Sequence, residues 1–426
     1  MPPPLAPAAR CRATVGRAKS GRGGMRSCCG SHRCHEIDEQ VGSQDDGHEP
    51  RPRAANRWHV ACRPNGGPAM TTESKARLGG AGWIAGVLLG AGLTLFVGGA
   101  AAQTARTLQV TTVFPETDFS SEVIKRWAGL VTERAGGKLT FRYHWAGSLV
   151  GNKTLDALRD GAVDVALQFT PYVSGDIVDL AAFDIPFSFP LDAKDLASFH
   201  QEVKAPVQAI YARFGSQVVA AAPIILPDPV TCRDRFLSGP NAWRGVIVRT
   251  AGRWQAETIK NWGGSPVVIP PGELYSALER GTANCTLMVY NGLESLKLFQ
   301  VAPRVTRVDH SIAFGTINVA SQTWAKLSDA EKKAMNDAGD EIVAWASQET
   351  NNRLDDVIKR LATAGVQFCT PSDREFARLV AGADKVLDSV RGSVTPDGAK
   401  ILAIVDRYRP NVKAKPAIGP IAACPG

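Results

Sequence analysis

The chain has 426 residues, of which 44% are hydrophobic and 21% charged, so it can bury a sizeable core and divide into two or three domains. Its formal net charge is +8, but residues 1–102 contain 13 Lys and Arg against 7 Asp and Glu, which leaves 36 against 34 in the remainder. That near balance gives no electrostatic reason to expect binding to nucleic acid or to an anionic membrane.

Residues 1–69 do not have the pattern of a domain. They are rich in Arg, Gly and Pro and lack an apolar period, although they contain many of the cysteines and histidines. The spacing of these potential metal ligands lacks the two separated pairs of a zinc module. The ligands in question are Cys28, Cys29, His32, Cys34 and His35. We interpret the segment as a disordered leader, or as upstream sequence translated from a start codon assigned too early, and predict neither a metal nor a cofactor.

Residues 70–102 have the three parts of a secretory signal peptide. A short basic start is followed by an apolar run over residues 83–97, and three alanines precede a cleavage site before Gln103. A transmembrane anchor is the alternative, but the run is short and interrupted by glycines. The sequence therefore predicts export of residues 103–426 to the periplasm.

The exported part contains two units with the same order of elements, strand–helix–strand–helix–strand. The first runs from Leu108 to Phe169 and the second from Val246 to Met288. The stretch Ala157–Gln168 also aligns with Ala277–Met288, and each combines a helix end, a capping glycine and a buried strand. Two matched units predict two similar α/β lobes whose strand ends face a shared cleft.

Arg249 follows the buried strand Val246–Val248 of the second unit, at the edge where ligands bind in open α/β sheets. Its guanidinium can donate two parallel hydrogen bonds to a carboxylate and stays charged at any pH. The other interpretation is a surface arginine paired with a neighbouring acid. Between the units, Phe187 lies in an irregular aromatic and proline segment that could form a wall of the cleft or belong to the core.

Four cysteines remain after cleavage, an even number that suits an oxidising compartment and allows three pairings. A bridge between Cys232 and Cys285 would staple the second unit, and one between Cys369 and Cys424 would tie down the C-terminal tail. The alternative role for Cys285 is that of a nucleophile. That role requires a free thiolate and a positioned base, and no histidine is near it in sequence.

A long helix is predicted from the capping box Ser328–Glu331 to Gly365, because apolar residues recur at helical spacing throughout. About 36 residues make a rod of roughly 54 Å, longer than one small lobe is wide. The helix should therefore span both lobes. A kink near Asn351 that divides it into two helices is the alternative.

The order and spacing of several motifs resemble the substrate-binding proteins of tripartite ATP-independent periplasmic (TRAP) transporters, the DctP-like family. The resemblance covers residues 107–405 and depends most on Arg244–Thr250, with support from 137–139, 155–164, 184–187, 264–267 and 273–281. It implies that Arg249 binds a substrate carboxylate, and that the protein captures a small organic acid and delivers it to membrane subunits. Where the family commonly has Asp-Gly and a following asparagine, this chain has Asn284-Cys285 and Met288. Tyr290 or Asn291 would then supply the second polar contact, or the ligand is less polar at that end.

The sequence thus predicts a two-lobed periplasmic-binding-protein-like α/β fold, with a mixed sheet flanked by helices in each lobe. Lobe 1 is predicted at 103–225 and lobe 2 at 226–315, while residues 316–426 supply a return strand, the long helix and further helices that complete both lobes. We expect a monomer that is not an enzyme, with a periplasmic enzyme using Cys285 or a carboxylate as the alternative. The predicted ligand-binding residues are Arg249, Phe114, Gln168, Phe169, Tyr172, Phe187, Met288, Tyr290, Asn291 and Phe314.

Overall fold

Two sheets and the helices around them form the part of the chain that the computed structural model describes, residues 105–188, 190, 192–309, 312–411 and 421–425. The predicted leader and signal peptide, and with them the cysteines and histidines before residue 103, lie outside the described residues. In chain order, the elements are β1 (Arg106–Thr111), α1 (Phe119–Arg134), β2 (Leu139–His144), α2 (Thr154–Arg159), β3 (Val165–Phe169), α3 (Ala193–Ala212), β4 (Ser216–Pro227), β5 (Val230–Cys232), β6 (Ile247–Thr250), α4 (Arg253–Trp262), β7 (Ser265–Val268), α5 (Pro271–Arg280), β8 (Cys285–Leu287), α6 (Tyr290–Ser295), β9 (Arg304–Thr306), β10 (Ile312–Ala320), α7 (Ser321–Trp324), α8 (Asp329–Thr363), β11 (Gln367–Cys369), α9 (Asp373–Arg391) and α10 (Pro396–Tyr408).

Lobe 1 is built on a five-stranded sheet of order β2-β1-β3-β10-β4. The strands β1, β2 and β3 are parallel and belong to the first predicted unit, which is confirmed. The strand β10 then returns antiparallel between β3 and β4. It begins at Ile312, so the first sheet takes in residues on both sides of the predicted boundary at 315.

Lobe 2 is built on a six-stranded sheet of order β11-β9-β5-β8-β6-β7. Its parallel strands β6, β7 and β8 form the second predicted unit. The strand β5 runs antiparallel between β8 and β9, and places Cys232 directly opposite Cys285. These two residues form a disulfide, and a second disulfide joins Cys369 to Cys424. Both predicted bridges are therefore present.

The two sheets are connected at three places, by the short link from β4 to β5, by the link from β9 to β10, and by α8. Helix α8 is a single helix of 35 residues that begins with the predicted capping box of Ser328 and Glu331. It packs against β4, α1 and α3 in lobe 1 and against α6 in lobe 2. The long helix that spans both lobes is thus confirmed, and the alternative of two separate helices is wrong.

Close packing of α8 on lobe 1 depends on Gly339. A Cβ at this position would lie 1.9 Å from the carbonyl oxygen of Val219 in β4, which is far inside van der Waals contact. The absence of a side chain therefore lets helix and sheet approach closely, with Ala338 and Ile342 of α8 fully buried beside the contact. None of the helices formed by the described residues has the length and apolar character needed to cross a membrane.

Candidate functional site

Arg249 lies in β6 of lobe 2 and is almost completely buried, with 1% of its surface exposed. Its Nε donates to the carbonyl oxygen of Ile269 at 2.8 Å, and its Nη1 donates to that of Leu287 at 3.0 Å. Its Nη2 has no hydrogen-bond partner within the described residues. The guanidinium is therefore fixed by two backbone carbonyls that follow β7 and end β8, and one buried donor remains available.

Burial lowers the pKa of Arg249, because the charged form loses its hydration, and the neighbouring Tyr172 partly opposes this shift. An arginine nevertheless stays protonated in proteins. A buried charge with an unused donor is costly unless something pairs with it. Arg249 thus has a donor free to meet an anion, and the interpretation of an exposed arginine in a surface ion pair is excluded.

A cavity between the lobes adjoins Arg249. Its volume is about 30 Å³, which is room for roughly two or three water molecules. Lobe 1 contributes residues that follow the carboxyl ends of β1 and β3, and lobe 2 contributes residues at the ends of β6 and β8. The lining residues are Phe114, Phe169, Pro171, Tyr172, Asp228, Arg249, Ala251, Gln255, Leu287, Met288 and Val289. Any ligand larger than a few heavy atoms requires this space to widen.

The lobes meet beside the cavity at Gly252, which precedes α4. A Cβ on Gly252 would lie 2.0 Å from the carbonyl oxygen of Pro171, so only glycine permits these two segments of the chain to approach so closely. Two residues on, the indole nitrogen of Trp254 donates to the carbonyl oxygen of Ser174 at 2.8 Å. The segment that follows β3 is therefore packed directly on the N-terminus of α4, and closes one side of the cavity.

Asp184 is a buried carboxylate at the same contact. Its Oδ2 accepts a hydrogen bond from the Ser174 hydroxyl at 3.0 Å, while its Oδ1 has no partner within the described residues. Desolvation by burial raises the pKa of Asp184 to about 7, against the opposing effects of Ser174, of the backbone N–H groups of Trp254 and Gln255, and of Arg249. The charge of this group therefore changes near neutral pH.

Five of the ten predicted ligand-binding residues line the cavity, and five do not. Those that line it are Arg249, Phe114, Phe169, Tyr172 and Met288. Phe114 packs on Phe169 with ring centroids 5.0 Å apart, and Phe169 packs on Tyr172 at 6.1 Å, so the three rings form one continuous wall. The sequence reasoning did not identify Asp228 or Gln255. Gln255 lies in the first turn of the helix after β6, a position that topology alone indicates.

Three of the remaining five predicted residues are packed inside their lobes. Gln168 is buried, and its Oε1 accepts from the Thr154 hydroxyl at 2.7 Å on the α2 side of the sheet. Phe187 packs edge-on against Phe376, with centroids 5.1 Å apart, which matches the alternative that it belongs to the core. Phe314 stacks on Phe183 at 4.0 Å in the interior of lobe 1.

The other two, Tyr290 and Asn291, belong to buried polar clusters where the lobes connect. The Tyr290 hydroxyl donates to Asp309 Oδ1 at 2.7 Å and accepts from Arg307 Nε at 3.1 Å, and Arg307 also pairs with Asp309. Asn291 Oδ1 accepts from the backbone N–H of Leu226 at 2.9 Å. Neither residue lines the cavity described above, so neither supplies a second polar contact there.

Asn291 also reaches into lobe 1. Its Nδ2 donates to both carboxylate oxygens of Asp118, at 2.9 and 3.0 Å, and Asp118 caps α1 by accepting from the backbone N–H of Ser120. Ser295 donates a further hydrogen bond to Asp118 at 2.7 Å. Burial raises the pKa of Asp118, and these donors oppose the shift. The side chain of Asn291 is therefore committed to joining α6 to the start of α1.

Cys285 is disulfide-bonded and is therefore not available as a nucleophile. Across the part of the chain that is described, no group of three or more His, Cys, Asp or Glu side chains is placed to hold a metal ion. The ionisable side chains of the cavity lining are Tyr172, Asp228 and Arg249.

Comparison with known families decides the class of protein. The sequence profile of DctP, described as bacterial extracellular solute-binding protein, family 7, matches residues 110–392. The chain belongs to this family. The matched range begins in β1 and ends just after α9, so it includes both sheets, the cavity between them and Arg249.

Relatives and solved structures agree with the family. The ectoine-binding periplasmic protein TeaA of Halomonas elongata is 24% identical over 58% of this chain and 74% of its own length. A TRAP periplasmic solute-binding protein from Rhodoferax ferrireducens, with bound malonate, superposes with a TM-score of 0.65 at 20% identity, and the match covers 71% of this chain and 98% of that one. One from Sulfitobacter, with bound β-D-galacturonate, has a TM-score of 0.65 at 16% identity, covering 72% and 100%. The DctP fold of this solute-binding protein is thereby established.

Proposed function

We propose that this solute-binding protein captures a small organic acid in the periplasm, with Arg249 binding the ligand carboxylate, and delivers it to the membrane subunits of a TRAP transporter. The observation that carries the proposal is the unpaired Nη2 of a buried arginine that lines a cavity between two lobes. A carboxylate at that point supplies an acceptor for Nη2 and a negative charge directly against the guanidinium.

The route into the site follows from its size. The cavity holds only a few heavy atoms, so the lobes separate to admit an acid and close on it afterwards. Closure about the three connections buries the carboxylate beside Arg249 and excludes water, which strengthens their attraction. The relatives with bound malonate and galacturonate support an acid as the kind of ligand.

The proposal has two further parts: the protein delivers the acid to the membrane subunits, and it is a monomer. In reconstituted vesicles that contain the transporter's membrane subunits, uptake of a labelled acid should depend on added binding protein. Light scattering coupled to gel filtration should give the mass of one chain.

A thermal-shift screen of the protein starting at Gln103 tests the type of ligand. A compound that binds only the folded state raises the melting temperature, because it stabilises the protein by RT ln(1 + [L]/Kd). We expect at least one organic acid to do so, and the matching alcohol or amide of that acid, which lacks the charge, to have no effect. Stabilisation by neutral sugars or by cations, with none by any acid, would contradict the proposal.

A further inference from the structure

The walls of the cavity are mostly apolar. They therefore restrict the chemistry of the part of the ligand that lies beyond its carboxylate. The aromatic wall of Phe114, Phe169 and Tyr172 faces lobe 2, whose contributions include Leu287 and Met288. None of these side chains except Tyr172 can form a conventional hydrogen bond. Besides Arg249, the side chains of this lining that can bond a hydroxyl group are Tyr172, Asp228 and Gln255. A ligand with hydroxyl groups on every side would therefore place some of them against the apolar wall, and a buried hydroxyl without a partner is unfavourable.

The charges around the cavity are also restricted. Among the lining residues, Arg249 is the single cation and Asp228, which is 3% exposed, is the single carboxylate. The two interact electrostatically, as the effect of Asp228 on the pKa of Arg249 indicates. One ligand carboxylate can pair with Arg249, but a second would find no further cation in this lining and would add to the negative charge of Asp228.

Gln255 does not change this restriction. Its Oε1 already accepts from the backbone N–H of Ala251 at 2.9 Å. It is a neutral amide, so it can solvate a ligand group without balancing a charge.

From these walls and charges we infer that the ligand is a monocarboxylate with a compact apolar body, and that Asp228 discriminates against dicarboxylates while the aromatic wall discriminates against sugar acids. The inference rests on the proposed function, since it requires Arg249 to bind a carboxylate. It makes Asp228 a specificity-determining residue.

Calorimetry with two matched pairs of acids tests the inference. In 4-methylpentanoate, an isopropyl group replaces one carboxylate of succinate, and cyclohexanecarboxylate has the six-membered ring and carboxylate of galacturonate without its hydroxyls. We expect each apolar acid to bind more tightly than its partner, by roughly thirtyfold or more for succinate because of like-charge repulsion and by roughly tenfold or more for galacturonate because of unpaired hydroxyls. Tighter binding of succinate or galacturonate would overturn the inference and leave the proposed function standing. Binding of none of the four would also overturn the inference, and the wider thermal-shift screen then decides the proposed function separately.

The variant Asp228→Asn separates charge from shape. It should improve the affinity for succinate relative to 4-methylpentanoate by roughly tenfold. The matched control is Asp234→Asn, which removes an exposed carboxylate of lobe 2 that pairs with Arg235 outside the cavity, and should leave the ratio unchanged. An unchanged ratio in a folded Asp228→Asn protein would overturn the role of Asp228. If that variant fails to fold, the two pairs measured on the wild-type protein still decide the ligand class.

Discussion

Replacement of Arg249 is the sharpest test of the site, because this side chain has two roles that the structure separates. In Arg249→Ala, the ligand carboxylate loses the donor Nη2 and the charge that pairs with it. Truncation of one member of a buried charge pair costs about 2 to 5 kcal/mol of binding free energy. This corresponds to a loss of affinity of roughly thirtyfold to several-thousandfold.

The same change also affects the free energy of unfolding. The carbonyl of Ile269 loses the donor Nε, and an unsatisfied buried carbonyl costs about 1 to 3 kcal/mol. The carbonyl of Leu287 loses Nη1 but keeps the Thr286 hydroxyl as a donor, so its loss is smaller. Removal of a poorly hydrated charge partly offsets this cost, since burial lowers the pKa of Arg249. We therefore expect Arg249→Ala to melt at a lower temperature than the wild-type protein as well as to bind more weakly. Arg249→Lys should recover part of the affinity, because an ammonium keeps the charge but not the planar fork.

A second arginine serves as the matched control for stability. Arg378 in α9 also donates to a backbone carbonyl of lobe 2, that of Trp262 at 3.1 Å, but it does not line the cavity. Arg378→Ala should lower the melting temperature without changing the affinity of the folded protein. The assay is calorimetry with the best acid of the screen, at a temperature where all variants are native. If Arg249→Ala binds within about threefold of wild type, a difference below 1 kcal/mol, the assignment of Arg249 is wrong.

Three further changes test other parts of the structure. Joint replacement of Cys232 and Cys285 by Ser should lower the free energy of unfolding by about 4 kcal/mol, since the bridge closes a loop of 53 residues. A thiol assay on the wild-type protein, unfolded without reductant, should detect no free cysteine after residue 102. The pKa of Asp184 is about 7 in the folded protein, against an ordinary value of 3.8. Protonation of Asp184 therefore adds to the free energy of unfolding, in full below pH 4, and this contribution is lost as the pH rises through 7. Denaturant melts should show that decline, of up to about 4 kcal/mol, and it should be absent in Asp184→Asn; an unchanged pH profile in the variant would refute the assignment. Asn291→Ala should lower the free energy of unfolding by about 1 to 3 kcal/mol by removing a donor from buried Asp118, with less than a threefold change in Kd, whereas a tenfold weaker Kd would mean that Asn291 binds the ligand.

The sequence predicts those parts of the fold that are determined by neighbouring residues. The two strand–helix–strand–helix–strand units and the capping box of α8 are local patterns, and all three are present in the structure. The return of β10 between β3 and β4 is a pairing between residues far apart in sequence. Alternation of apolar residues shows that a strand exists, but it does not show which strand it will pair with. The assembly of lobe 1 therefore could not be read from the sequence alone.

The sequence predicts which residues lie at the end of a strand near the site, but it predicts less well which way their side chains point. Gln168 and Phe169 are consecutive residues of β3, and successive side chains in a strand point to opposite faces. Phe169 consequently reaches the cavity, while Gln168 turns toward Thr154 in α2. Only the register of the strand, which depends on its pairing, determines which of the two faces the ligand.

The residues at the lobe connections show a second limit of sequence reasoning. Tyr290 and Asn291 come directly after the end of β8, the edge where ligand contacts are expected, but α6 begins at Tyr290 and turns both side chains away. They instead bond to buried partners near the connections between the lobes. Tyr290 donates to Asp309 beside β10, and Asn291 accepts from the N–H of Leu226 at the end of β4. In the proposed opening and closing of the lobes, the polar groups buried there must stay paired, because an unpaired one is costly. We therefore expect lobe motion to pivot about these clusters, so that substitutions in them change the stability and the rate of closure more than the choice of ligand.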